Sequence, residues 1–271
     1  MAVHRAARRQ IRPHHYRAVE ALARHFQKES KCQALIVIGS VARERAREDS
    51  DIDLVVVWDD LEFERLRNEG TLRYYSEKFT DYEGGYAEAK YVSELVLREM
   101  AIKGCEPTRA EYEGAWIIFS RVKYLKRVLD SIPIYQVSEQ KLKLLNFFTH
   151  FEISRWYVEQ AAIREDPFLL RLAAMDLMFF GARMILAHNK ILFPGNKWLM
   201  TELKGAEKKP DDLLSRIAAL LEQTTLENAI AFYDSVGHFR QWEKPAVGIA
   251  THFMLESEWA WREGRSSVRD C

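Results

Sequence analysis

The stretch ALIVIGSVARERAREDSDIDLVVV, residues 34–57, decides the fold of the first half of the chain. Residues 35–38 form a short β-branched run that ends at Gly39-Ser40, which predicts a buried strand followed by a turn. Residues 54–57 predict a second buried strand, and Asp51-Ile52-Asp53 leads into it. Two strands that meet at a Gly-Ser turn and an Asp-x-Asp pair therefore form the framework for the remaining analysis.

Asp51 and Asp53 are two residues apart, so in an extended chain both side chains point to one face while Ile52 points to the other. Two adjacent carboxylates repel each other unless a cation lies between them. Magnesium prefers oxygen ligands and commonly binds carboxylates together with substrate phosphates. The pair therefore predicts a site for two Mg²⁺ ions that serves an in-line displacement at phosphorus.

Gly39 and Ser40 favour contact with phosphate groups. Gly39 has no side chain, so backbone amides after the first strand can approach phosphate oxygens, and Ser40 adds a hydroxyl donor. A helix that begins within residues 41–45 would add an N-terminus that favours an anion. The alternative is a plain turn beside solvated carboxylates at the end of a strand.

A third carboxylate is expected on a later strand. Residues 84–92 alternate so that Glu88 and Lys90 share one face, which predicts a strand that brings Glu88 to Asp51 and Asp53. Lys90 would then contact a phosphate. Asp81 and Glu83 are rivals for this role, but they lie among turn-forming residues, and an exposed Glu88 on an edge strand stays an open alternative.

Composition excludes several classes of protein. Among the 271 residues, 40 Lys and Arg balance 40 Asp and Glu, which argues against general nucleic-acid binding because such proteins carry a basic excess. Three distant cysteines predict reduced thiols in a cytoplasmic protein. The first residues have no apolar core, so no secretory signal is expected, and His4, His14 and His15 are predicted to lie in an exposed segment.

The chain changes character near residue 130. Strand patterns stop after Pro133, and the remainder predicts helices over residues 141–163, 167–189, 197–204, 211–223, 226–240 and 254–261. The expected fold class is α+β, with a small mixed-sheet catalytic domain at residues 1–130 and an all-helical bundle at residues 131–271. Charged side chains interrupt residues 167–189, which favours a buried bundle helix over a membrane span.

Asp176, Arg183 and Lys190 are spaced by seven residues and so predict one polar stripe along this helix and its end. The stripe would either line an acceptor pocket or form a row of structural ion pairs, and the sequence leaves both open.

The pattern Gly39-Ser40 followed by Asp51-Ile52-Asp53 resembles the signature of the polymerase-beta-like nucleotidyltransferase superfamily, and the longer string is similar to its bacterial small-molecule members. The resemblance implies transfer of a nucleoside monophosphate from a nucleoside triphosphate, ATP in the first instance, to a hydroxyl of a small acceptor, with release of pyrophosphate. It also implies a general-base role for the third carboxylate. The implied nucleotide contacts are Gly39, Ser40, Arg43, Ser50 and Lys90, and the implied metal ligands are Asp51, Asp53 and Glu88.

Two further expectations follow from the resemblance. Lys197, at the start of a predicted helix, would contact the β- and γ-phosphates. Glu44 stands where the family usually has glycine, which predicts a different loop if that glycine takes a positive φ. Glu44 also adds a negative charge near the triphosphate.

Two alternatives remain from the sequence. Arg183 and His188 resemble the Arg-x4-His element of helical ribonuclease toxins, which would make the chain a toxin–antitoxin module that cleaves RNA or nucleotidylates a protein. Glu44 would instead suit a non-catalytic nucleotide-binding regulator. A homodimer stays open under each of these interpretations.

Overall fold

The computed structural model describes residues 11–265, so His4 and Cys271 lie outside the described part of the chain. It contains two compact units, Met1–Ile134 and Tyr135–Cys271. Within residues 11–265, no helix has the length and apolar composition needed to cross a membrane. Cys32 and Cys105 are free thiols.

The first unit alternates helices and strands. Its elements are α1 (Pro13–Phe26), β1 (Cys32–Val37), α2 (Gly39–Ala42), β2 (Ile52–Trp58), α3 (Asp60–Asn68), β3 (Arg73–Ser76), β4 (Ala87–Ser93), α4 (Glu94–Lys103), α5 (Glu106–Glu111), β5 (Trp116–Ser120) and α6 (Leu125–Ser131).

Five strands form one mixed sheet in the order β3-β4-β2-β1-β5. The β2–β4 pair is parallel and the other pairs are antiparallel. Alternate residues of β1 and β2 pack into separate apolar clusters on the two faces, with α1 in one cluster and α4 and α6 in the other. Because both faces of the central strands are covered, β1 and β2 are apolar almost throughout.

The second unit is helical, and the described residues after Ile134 contain no strand. Its α-helices are α7 (Gln140–Ile163), α8 (Pro167–His188), α9 (Leu199–Gly205), α10 (Leu213–Glu222), α11 (Leu226–His238) and α12 (Ile249–Phe253). The α8 helix begins with Pro167, and its cap Asp166 accepts hydrogen bonds from the Phe168 and Leu169 amides. Half of the residues of α8 are buried, chiefly in its C-terminal part, as expected of a bundle helix. The α+β fold class is confirmed.

Three elements escape the sequence patterns, namely β3, α5 and α6, because each is short. The predicted helix over residues 254–261 is helical but not α-helical, since α12 ends at Phe253, a π-helical turn occupies Met254–Glu258 and a 3-10 turn occupies Ala260–Glu263. The expected exposure of His15 is wrong, because α1 begins at Pro13 and buries this side chain completely.

Candidate active site

The turn after β1 packs directly against β2. Gly39 has φ 68°, and a Cβ at this position would lie 2.0 Å from Asp53 Oδ2. The Ile38 amide donates to the Asp53 carbonyl at 3.0 Å, which fixes the same approach through the backbone. Only glycine tolerates both the positive φ and this contact. Gly39 therefore sets the position of the Asp53 carboxylate.

Ser40 follows in a helix of only four residues, Gly39–Ala42, which begins earlier and ends sooner than the sequence predicts. Its Oγ is shielded from solvent and has no hydrogen-bond partner among residues 11–265. A buried hydroxyl without a partner is costly, so a ligand oxygen at this turn would satisfy it. The buried Ser40 hydroxyl is therefore the observation that makes this turn suitable for binding a phosphate group.

The parallel register places Asp53 directly opposite Glu88, and the Ile52 amide donates to the Tyr86 carbonyl at 2.9 Å. Directly paired residues point to the same face of a sheet, so Asp53 and Glu88 are neighbours. Asp51, two residues before Asp53, reaches the same end of the sheet, where its side chain accepts a hydrogen bond from the Tyr86 hydroxyl.

Tyr86 reports on the charge of this region. Its hydrogen bond to Asp51 and the negative charge of Asp51, together with partial burial and the charges of Asp53 and Glu88, raise the pKa of Tyr86 to about 12. Three carboxylates therefore act on one phenol oxygen. A donor set of carboxylate oxygens on one face suits magnesium.

The carboxylates of Asp51, Asp53 and Glu88 do not converge on one position from which all three could bind a metal ion. Within residues 11–265, no group of three or more His, Cys, Asp or Glu side chains is arranged to hold a metal ion. Glu88 instead pairs with Arg73 of β3, whose Nε lies 2.8 Å from Oε1 and whose Nη2 donates to Oε2 at 2.8 Å. Lys90, predicted to contact a phosphate, donates to Glu111. Metal binding at Glu88 thus requires the Arg73 pair to open.

Two predicted nucleotide contacts belong to the framework of the loop. Only 10% of the Arg43 side chain is exposed, and its guanidinium donates to the Ala110 carbonyl and pairs with Glu113 at 3.2 Å. Ser50 Oγ accepts a hydrogen bond from the Arg47 amide at 2.8 Å, and its carbonyl accepts one from Tyr82 at 2.8 Å. These contacts position the segments around the site.

Glu44 does not avoid the conformation that glycine favours. It has φ 58° and an exposed side chain, so the loop keeps a left-handed residue at this position. Glutamate at this position therefore does not by itself require a different loop. The backbone accepts strain at Glu44, and such strain costs about 1 kcal/mol.

Lys197 lies in a single 3-10 turn, Asn196–Trp198, in the helical unit. Its side chain is exposed, and Nζ lies 5.6 Å from the centroid of the Trp198 ring. The turn is followed by α9, so the predicted helix start at residue 197 is close to the observed one.

The predicted polar stripe of the helical unit includes a buried arginine. Arg183 is buried with its guanidinium carbon 4.3 Å from the Phe147 ring centroid and 4.2 Å from that of Phe193. Lys190 lies beyond the end of α8 with φ 57°, so it does not continue the helical row from Asp176. Aromatic side chains therefore cover Arg183, and the role of the Asp176, Arg183 and Lys190 row stays a prediction.

Arg183 and His188 also lie in different surroundings. The Nδ1 atom of His188 lies 2.8 Å from Arg240 Nη1, and its ring is near Phe239 and Trp242. Burial and the charge of Arg240 lower the pKa of His188. Arg183 packs among other aromatic rings, so within one chain the two side chains have separate surroundings.

Arg73 and Tyr86 are the site residues that the sequence patterns missed. The β3 segment, Arg73–Ser76, alternates exposed and half-buried residues and offers no apolar face. Tyr86 carried a usable signal, because Tyr86-x-Glu88 has the same spacing as Asp51-x-Asp53 and pairs with it in register.

Comparison with known proteins addresses the same region. Residues 20–82 match the family model described as "Polymerase beta, Nucleotidyltransferase", a range that includes Gly39 and both aspartates and ends before Glu88. No curated protein matches the chain in sequence. A nucleotidyltransferase-like protein from Exiguobacterium sibiricum 255-15 is similar in structure, with a TM-score of 0.44 and 11% identity over 91% of this chain and 78% of that chain. This match supports assignment of residues 20–82 to the polymerase-beta-like nucleotidyltransferase superfamily.

Proposed function

We propose that the protein catalyses magnesium-dependent transfer of a nucleoside monophosphate from a nucleoside triphosphate, with ATP as the first candidate, to a hydroxyl of a small molecule. The observation that carries this proposal is the position of Asp53, which contacts Gly39 on one side and lies opposite Glu88 on the other. The phosphate-binding turn and the carboxylates are thereby adjacent.

The roles follow from this geometry. Gly39 and Ser40 would bind the triphosphate, while Asp51, Asp53 and Glu88 would hold two Mg²⁺ ions. When bound, these ions would neutralise charge on the triphosphate and polarise its α-phosphorus. The acceptor hydroxyl attacks that phosphorus, pyrophosphate leaves, and Glu88 accepts the hydroxyl proton. For that step Glu88 must be free of Arg73.

A cavity in the N-terminal unit is a candidate site for a small acceptor. It has a volume of about 890 Å³ and lies between the start of α1 and the loops that precede β2 and β4, with His14, Asp49 and Tyr82 in its lining. Pockets for small molecules have volumes of about 300–1,000 Å³. The Tyr82 hydroxyl donates to the Ser50 carbonyl, so the cavity lies near the chain segment that carries Asp51, although none of the proposed metal ligands lines it. The balanced net charge also favours a small acceptor over nucleic acid.

Release of pyrophosphate tests the proposal directly. We expect release from one of the four ribonucleoside triphosphates with Mg²⁺ and a member of a panel of hydroxylated small molecules, and loss of release with a chelator. Asp53→Asn keeps the shape of the side chain beside Gly39 and removes a metal ligand, so it should lower the rate by about 10³-fold.

Asp130→Asn is the matched control, because Asp130 is an exposed aspartate that pairs with Lys126 on α6. It should leave the rate unchanged. Full activity in an Asp51→Asn, Asp53→Asn double variant would show that the site is wrongly assigned.

A further inference from the structure

Arg73 holds both oxygens of the Glu88 carboxylate. The two contacts of 2.8 Å form a bidentate pair, with 68% of the Arg73 side chain and 28% of the Glu88 side chain exposed. The pair raises the pKa of Arg73, so the guanidinium stays charged. Neither sequence pattern nor family resemblance assigns this arginine a role.

The pair obstructs a metal ion at Glu88 in two ways. Glu88 Oε2 already accepts a hydrogen bond from Arg73 and Oε1 is in ion-pair contact with Arg73 Nε, so a divalent cation would lie beside a positive charge. Such repulsion is weak when both groups are hydrated and grows as water is excluded. A metal ion that arrives alone must therefore displace Arg73 without offering it a new partner.

A metal ion that arrives with a triphosphate offers that partner. Arg73 is paired in register with Lys90 on the neighbouring strand, so the two cations lie side by side at the edge of the site. The Arg73 side chain is long and largely exposed, and a guanidinium binds phosphate oxygens through two parallel hydrogen bonds.

We propose that Arg73 exchanges partners: it holds Glu88 while the site has no metal, and it binds the triphosphate once a metal ion occupies Glu88. This inference rests on the proposed function. The exchange makes binding of the metal ion and of the triphosphate mutually dependent, because each removes the obstacle to the other.

The exchange predicts effects of opposite sign in one variant. In Arg73→Ala, Mn²⁺ alone should bind about threefold more tightly, because an exposed ion pair competes only weakly with the metal ion for Glu88. ATP in the presence of Mn²⁺ should bind about tenfold more weakly, because a hydrogen bond to a charged group is lost. Electron paramagnetic resonance of free Mn²⁺ and calorimetry with ATP measure the two affinities without any acceptor.

Two variants serve as controls. Arg67→Ala removes a comparably exposed arginine, which pairs with Glu64 at 3.0 Å on α3, and it should change neither affinity. Arg73→Lys keeps the charge and loses the bidentate geometry, so both affinities should lie between those of the wild type and Arg73→Ala. Thermal unfolding checks that each variant is folded.

The outcomes separate this inference from the proposed function. If Asp53→Asn abolishes Mn²⁺ binding while Arg73→Ala leaves both affinities unchanged or weakens both, the exchange is wrong and the metal site stands. If neither wild type nor Arg73→Ala binds Mn²⁺, the proposed metal site fails and the exchange fails with it. Tighter Mn²⁺ binding together with weaker ATP binding in Arg73→Ala would support both.

Discussion

The two halves of the candidate site are held by different forces. The first arm, which consists of Gly39, Ser40 and Asp53, is fixed by backbone hydrogen bonds and by van der Waals contact between central strands. The second arm, which consists of Arg73, Glu88 and Lys90, lies towards the edge of the sheet, and its charged groups are paired with opposite charges.

This difference separates what is preformed from what must rearrange. Contacts in a packed interior leave little freedom, so the first arm has its final shape before any ligand binds. Exposed ion pairs are weak and exchange readily, so the second arm can open at small cost. Substitutions in the first arm should change stability and binding together, whereas those in the second arm should change binding alone.

The largest expected effect on stability comes from Gly39→Ala. The added Cβ would lie 2.0 Å from Asp53 Oδ2 at a backbone φ of 68°, so the turn or β2 must shift. We expect a loss of about 3 kcal/mol, most of it from overpacking and the rest from the left-handed conformation. Hydrogen exchange of β1 and β2 measures this loss within the N-terminal unit. Binding of Mn²⁺ should be lost as well.

Gly70→Ala provides the matched comparison, because Gly70 has φ 71° and no atom within 4 Å of its Cβ position. It should cost only the conformational part, about 1 kcal/mol. Equal losses in the two variants would show that the Gly39–Asp53 contact contributes nothing, and the contrast between the two arms would then lose its main support.

The same contrast explains which features the sequence predicts. The first arm lies on two apolar runs bounded by glycine and aspartate, so local pattern and tertiary structure agree there. Glu88 could also be predicted, because Ala87 and Ala89 are buried and give β4 a period of two.

Arg73 could not be found in this way, since an exposed four-residue edge strand has no apolar face to detect. The buried positions of Arg43 and Arg183 were missed for another reason. Glu113 and the aromatic rings that surround these side chains are distant in sequence, and no local pattern encodes such contacts.

A smaller effect is expected from Arg43→Ala, which tests whether this residue supports the first arm or binds nucleotide. The variant leaves Glu113 and the Ala110 carbonyl without the guanidinium, so the N-terminal unit should lose about 2 kcal/mol. Affinity for ATP with Mn²⁺ should change by less than about threefold. Hydrogen exchange and calorimetry measure the two quantities. A tenfold loss of ATP affinity at unchanged stability would restore Arg43 as a nucleotide ligand.

The smallest expected effect is a gain, from Glu44→Gly in the loop after the first arm. Glycine removes the strain of φ 58° but adds flexibility to the unfolded chain, so the net gain in stability should be at most about 1 kcal/mol. Glu165→Gly is the matched control, because Glu165 has φ 52° in the helical unit.

Both variants should stabilise their own unit, as measured by hydrogen exchange, but only Glu44→Gly removes a negative charge from the proposed triphosphate site. It should therefore tighten ATP binding by about twofold at low salt, an effect that screening abolishes at high salt. If both variants leave ATP affinity unchanged, the charge of Glu44 has no effect on the bound triphosphate. Ser40 is then the last residue of this loop that contributes to the proposed triphosphate site.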